Sequence, residues 1–142
     1  MATSNAATTY LENKILSLIF KNNAGSFSSP GDSIYIGLAT AVADAEAGTL
    51  TEANFGAYAR QQVTASAWTV PSVSTDTQTA TNSANIEYAA STGTSNTITH
   101  AFVADAATSG NILFIGALDA NKTIGTGDIF RINAGNLSIE LR

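Results

Sequence analysis

The chain of 142 residues contains no cysteine and one histidine, and only 12% of its residues are charged. Without cysteine there is no disulfide framework, no thiolate zinc site and no thiol nucleophile. With His100 as the one imidazole, the usual His/Cys zinc ligand sets cannot be assembled. A Ser-His-Asp triad would have to use His100 with Asp105, and no G-x-S-x-G elbow frames a serine. His100 therefore reads as a structural histidine, hydrogen-bonded within a sheet or at an interface. Two carboxylates facing each other across a cleft could hydrolyse a glycoside, but the eleven acidic residues are scattered singly. Asp44 and Glu46 share one loop, a ligand set too sparse for the usual calcium loop. No cofactor, no metal and no enzymatic activity are expected.

Charge is the next deficit. A soluble domain typically devotes roughly a quarter of its residues to Asp, Glu, Lys and Arg; this one devotes about half that share. Thr, Ser, Asn, Ala and Gly must cover the surface instead. Such a surface suits close packing against other subunits, because little charge has to be desolvated; a Thr-rich sandwich exterior would look the same. The net charge of −5, with six Lys plus Arg, gives no cationic face for a phosphate backbone, so no nucleic-acid partner is expected. The first residues lack the basic and apolar parts of a signal peptide, and no apolar run approaches the length of a span, so no membrane insertion is expected.

What is present is pattern. Residues 1–8 read as a flexible polar arm. Thr9 and Glu12 fit a capping box, and behind them Leu11, Ile15, Leu18 and Ile19 recur at helical spacing, with Leu16 and Phe20 widening the apolar face. Asn22-Asn23-Ala24-Gly25 supplies the stop, Gly25 suiting a left-handed cap. This predicts an amphipathic α-helix over 9–24. Its face either plugs one end of a β core or docks on a neighbouring subunit.

From Ser33 to the end the signal is strand, giving a β domain over 33–142. Ile34, Ile36 and Leu38 alternate with Tyr35, Gly37 and Ala39, and Ile98, His100 and Phe102 with Thr99, Ala101 and Val103. Residues 41–58 read as an Ala/Gly-rich loop, and 72–84 as a long loop or an exposed edge. Residues 112–118 are apolar on both faces, which predicts a central, doubly covered strand. Gly125-Thr126-Gly127-Asp128 lacks the lysine of a phosphate loop and reads as a turn. Ala134-Gly135-Asn136 predicts a hairpin between strands at 129–133 and 137–141. Seven or so strands without βαβ alternation predict an all-β fold, an antiparallel β-sandwich of jelly-roll form carrying one N-terminal amphipathic α-helix. Most aromatic residues fall at strand spacing, as core residues do; Tyr58 and Trp68 flank polar loops, which marks them as interface candidates beside Leu11, Ile15, Leu18 and Ile19.

Several segments together resemble a family of small tailed-bacteriophage virion proteins, described as tail-fibre or head-decoration components. They are Ile34-Tyr35-Ile36-Gly37-Leu38-Ala39-Thr40, Gly56-Ala57-Tyr58-Ala59-Arg60, and Asn82-Ser83-Ala84-Asn85-Ile86. The strongest stretch runs from Ile98-Thr99-His100 through Gly110-Asn111-Ile112-Leu113 and Gly116-Ala117-Leu118 to Ala134-Gly135-Asn136-Leu137-Ser138-Ile139. Ala39 and Ala101 stand where the family tends to have bulkier residues. The resemblance implies a virion protein, made in the host bacterial cytoplasm, that forms homo-oligomers (trimers) and has no catalytic residues. It implies either a head decoration, or cement, protein whose partner is the major capsid protein, or a tail-fibre or receptor-binding module whose partners are tail proteins or a host surface glycan.

Overall fold

The computed structural model describes residues 6–22, 30–71 and 78–141. The first five residues of the expected arm, Asn23, Ala24 and Gly25 of the expected helix stop, and 72–77 of the polar stretch lie outside the described residues. The chain enters through a short strand β1 (Ala6–Ala7) and a helix α1 (Thr9–Lys21). The β domain follows as β2 (Tyr35–Asp44), β3 (Thr49–Glu52), β4 (Gln61–Gln62), β5 (Trp68–Thr69) and β6 (Gln78–Asn82). After these come β7 (Ile86–Glu87), β8 (Asn96–Ala104), β9 (Ile112–Ile124), β10 (Arg131–Ile132) and β11 (Ser138–Leu141).

Every described strand pairing is antiparallel. The main sheet runs β1-β9-β8-β2-β3, with β4 also on β2; β10-β7 and β11-β6-β5 form two smaller ribbons. The protein is thus all-β, antiparallel and sandwich-like, with one N-terminal helix, as the alternation predicts. Its strands divide unevenly, six against two and three, where the jelly-roll form shares eight strands between two sheets.

The helix begins at Thr9, and its cap stands one residue before the predicted one. Thr8 is the N-cap, its hydroxyl oxygen accepting from the Leu11 N–H at 3.4 Å. The same hydroxyl donates to the Ile112 carbonyl at 2.6 Å, and the Thr8 N–H to the Leu113 carbonyl at 2.9 Å. Tertiary hydrogen bonds to β9 therefore select Thr8 over Thr9, whose N–H is taken by the Glu46 carbonyl. Asn22, at φ 49°, ends the helix in the left-handed conformation expected of Gly25; asparagine is among the few residues that accept it. The arm is not wholly free either, since Ala6 and Ala7 pair with Ile115 and Phe114.

Residues 112–118 do lie in an inner strand, β9 standing between β1 and β8, but the strands covered most fully on both faces are β2 and β8. Four consecutive residues of β2, Ile36, Gly37, Leu38 and Ala39, are buried, so both its faces are covered. In β9 only Leu113 and Ile115 are buried before Ile124; Phe114 and Leu118 pack partly against the main core, and the strand is exposed from Asp119 to Thr123. The apolar residues of 112–118 divide between two core clusters, Leu113, Phe114 and Leu118 in the main one and Ile112 and Ile115 in a smaller one with Phe102. Gly37 lies directly under Phe102, where a Cβ would stand 2.1 Å from the ring's Cζ. The guanidinium carbon of Arg60 lies 5.0 Å from the same ring's centroid. A second aromatic series, Phe55, Tyr58, Tyr88 and Phe130, runs through the main core with centroid spacings of 5.2, 6.0 and 5.7 Å. Such pairs add stability beyond the area they bury.

Two expected loops are ordered otherwise. Residues 41–52 form a hairpin in which β2 continues to Asp44, turns, and returns as β3. Alanines at 39, 41 and 43 conceal the strand period, because they are neither clearly apolar nor polar. Gly135, at φ 80°, does make a turn, closed by a 3.0 Å bond from the Asn136 N–H to the Asn133 carbonyl. The turn is not a hairpin, however, since β10 pairs with β7 and β11 with β6. It hands the chain from one ribbon to the other.

Candidate functional site

The residues expected at an interface separate into two environments. Leu11 is buried and Ile15 packs against the main core, so these two fasten α1 to the β domain. Leu18 and Ile19 face outward with Leu16 and Phe20, and Phe20 is 78% exposed. One helix thus both plugs and projects: its first turns join the core, and its end carries an uncovered apolar knob.

Tyr58 is not a surface residue. Its ring belongs to the core series, and its hydroxyl accepts from the Leu38 N–H at 2.9 Å while donating to Glu52 Oε1 at 2.8 Å. Arg60 holds the same carboxylate with two bonds, Nε to Oε1 at 2.8 Å and Nη2 to Oε2 at 2.9 Å. Its Nη1 donates to the carbonyls of Ala106 and Ser109 at 2.9 and 2.8 Å, which ties down the 105–110 loop. Burial alone would raise the Glu52 carboxyl, but the bonds from Arg60 and Tyr58 outweigh it and hold the group below its ordinary value. Burial, with Glu52 beside it, pushes the Tyr58 phenol far up. Each polar atom of this clamp is spent on another residue of the chain, so the clamp fastens and offers nothing to a ligand.

Trp68 is half-buried and forms one wall of a cavity of about 300 Å³ between the main sheet and the β11-β6-β5 ribbon. Ile34, Val103 and Phe114 line the sheet side; Ala80 and Ile139 line the ribbon side. Val70, at the rim, is 62% exposed.

His100 sits mid-sheet between Ala39 and Ala117, its Nδ1 paired with the Thr99 hydroxyl at 2.7 Å. Its Nε2 is shut off from solvent without a hydrogen-bond partner, and burial lowers its pKa. Asp44 accepts from the Ala47 N–H at 3.1 Å, and Asp128 from the Gly125 N–H at 2.9 Å; both carboxylates cap turns. Among the described residues, no group of three or more His, Asp or Glu could hold a metal ion.

Asn82, which sequence reasoning passed over, is 1% exposed. Its amide donates to the carbonyls of Ala84 and Asn133 at 2.8 and 3.0 Å, and its side-chain oxygen accepts from the Leu137 N–H at 2.9 Å. It thereby locks the 133–137 turn onto β6. The one signal for it in the sequence is its place in Asn82-Ser83-Ala84-Asn85-Ile86, a segment that carries the resemblance. Arg60 has the same signal, its place in Gly56-Ala57-Tyr58-Ala59-Arg60, while Glu52 gave none until the fold brought the two together.

Glu52, Arg60, Asp44 and Asp128 thus serve the chain's own clamps and turns, and comparison with known families places the chain among tailed-phage virion structural proteins. The family model described as podophage GP4 fiber I protein gp80 matches residues 6–140, and the chain belongs to that family. The match takes in β1 and α1 as well as the β domain. No curated protein matches the chain.

Proposed function

We propose that the protein is a module of a tail fibre and acts by binding and assembly, not by catalysis. The observation that carries this reading is the family match over nearly the whole chain, to a family described by a fibre protein. It favours the fibre over the head-cement alternative, in which the partner would be the major capsid protein. The structure is compatible with such a part. The far end of the β8-β9 hairpin carries amides and hydroxyls, where Asn96 Oδ1 accepts from the Asn54 N–H at 2.7 Å and Thr97 meets Thr123 at 3.2 Å between hydroxyls. Amides and hydroxyls of this kind suit contact with neighbouring tail proteins or with a host surface glycan. Among the described residues no helix is long and apolar enough to cross a membrane.

Gold-labelled Fab fragments against the chain, applied to purified virions, test the reading together with the copy number per particle. Label on the fibres with a few to a few tens of copies is expected. Label spread over the head with hundreds of copies would return the protein to the capsid.

A further inference from the structure

We infer that copies of this chain dock head to tail, the exposed end of α1 from one copy entering the apolar cavity beside Trp68 of the next. This goes beyond the fibre reading and does not depend on it.

The knob is Leu16, Ile19 and Phe20, spaced i, i+3, i+4 and exposed by 56, 64 and 78%. These three leave on the order of 400 Å² uncovered, within the range of roughly 300–600 Å² for the largest apolar patch of a monomer. The hole is the 300 Å³ cavity under Trp68, walled mostly by hydrocarbon. Water would fill it with roughly ten molecules that find few partners there. Phe20 cannot fill its own chain's cavity, because it stands in solvent. A second copy covers the knob and fills the hole at the same time.

Charge selects the same pairing. α1 contains Glu12, Lys14 and Lys21, a net +1 in a chain of −5, so the rest of the molecule carries −6. Helix against helix brings like charges together; helix against β body brings opposite ones. The cavity's own lining is uncharged, so Phe20 enters it without desolvating a charge there. The knob alone is smaller than the roughly 800 Å² per partner of a standard interface, so the cavity walls and rim must contribute and the association will depend on concentration. A contact between unlike surfaces closes into a ring where the rotation allows and otherwise extends as a filament.

Sedimentation of the intact chain over a wide concentration range tests this, read beside the emission of Trp68, the one tryptophan. Association with concentration is expected, accompanied by a blue shift as the cavity fills. Phe20→Asp in the knob and Val70→Asp at the rim should each abolish both signals while circular dichroism stays native. If either variant misfolds, Ile19→Lys and Val70→Lys replace them. An equimolar mixture of the two variants should restore a heterodimer, because one keeps the hole and the other the knob. A wild-type chain that stays monomeric overturns the proposal. So does a Val70→Asp variant that associates like wild type, which would mean that the knob pairs with itself, and so does a mixture that does not pair.

Discussion

The end of α1 and the junction around Asn82 are opposites. Leu16, Ile19 and Phe20 have the hydrophobic pattern of core residues and lie in solvent; Asn82 has the polarity of a surface residue and is 1% exposed. In a chain so poor in charge, hydrophobicity says where a segment could pack, while buried amides and hydroxyls fix where the segments join. An amide at Asn82 meets two carbonyls and one N–H at once, which no apolar residue can do.

The sharpest way to break this contrast is Asn82→Asp. A carboxylate would face the Ala84 and Asn133 carbonyls that now receive the amide protons, and an uncompensated buried charge costs about 3–5 kcal/mol. Denaturant unfolding should show that loss; less than about 1 kcal/mol would mean the junction is held by something else. Next comes Leu11→Ala against Phe20→Ser, nine residues apart in one helix. Emptying the buried site should cost about 2–4 kcal/mol, and the exposed substitution about 0.5 or less, measured in dilute solution. Equal effects would erase the distinction between the anchored and projecting parts of α1. Gly37→Ala places a methyl 2.1 Å from Phe102 Cζ, and overpacking of this kind costs about 1–3 kcal/mol. A neutral result would show that the ring can slide toward Arg60.

The smallest effects are those of pH. Burial by itself would raise the Glu52 carboxyl, yet Arg60 and Tyr58 hold it below its ordinary 4.5. The unfolded chain therefore takes up this proton first, and the stabilisation present above pH 4.5 is lost as pH falls through the lower folded value. Burial lowers His100 from its ordinary 6.5, so the unfolded form again protonates first and stability declines as pH drops below 6.5. Denaturation midpoints across this range should fall in two stages. Glu52→Gln should remove the lower stage and His100→Asn the upper one; unchanged profiles would show that neither group is linked to folding.

Much of the fold was legible. The 3.6-residue period located α1 to within one residue at its start, and alternation located β2, β8 and the first part of β9. The turn at 125–128 was visible because Gly127, at φ 87°, supplies a backbone that other residues avoid. The β2-β3 hairpin was hidden by alanine, and the 134–136 turn misled because local turn chemistry does not say which strands it joins. The interface residues were legible only as apolar or aromatic: Leu11, Ile15 and Tyr58 went to the core, Leu18 and Ile19 to the surface, and Trp68 to the wall of a cavity.

What the sequence determined by itself was the chemistry available: no thiol, one imidazole, few charges, and enough alternation to demand an antiparallel β fold with a helix at its head. These follow from composition and from periods of two and 3.6, which are local properties. Tertiary structure alone decided which strands are covered most fully, that Thr8 caps the helix, that Asn82 locks two ribbons together, and which part of α1 stays uncovered. Each depends on a partner dozens of residues away. The physical cause is that a side chain's role is set by what surrounds it, and the surroundings exist only once the chain has folded.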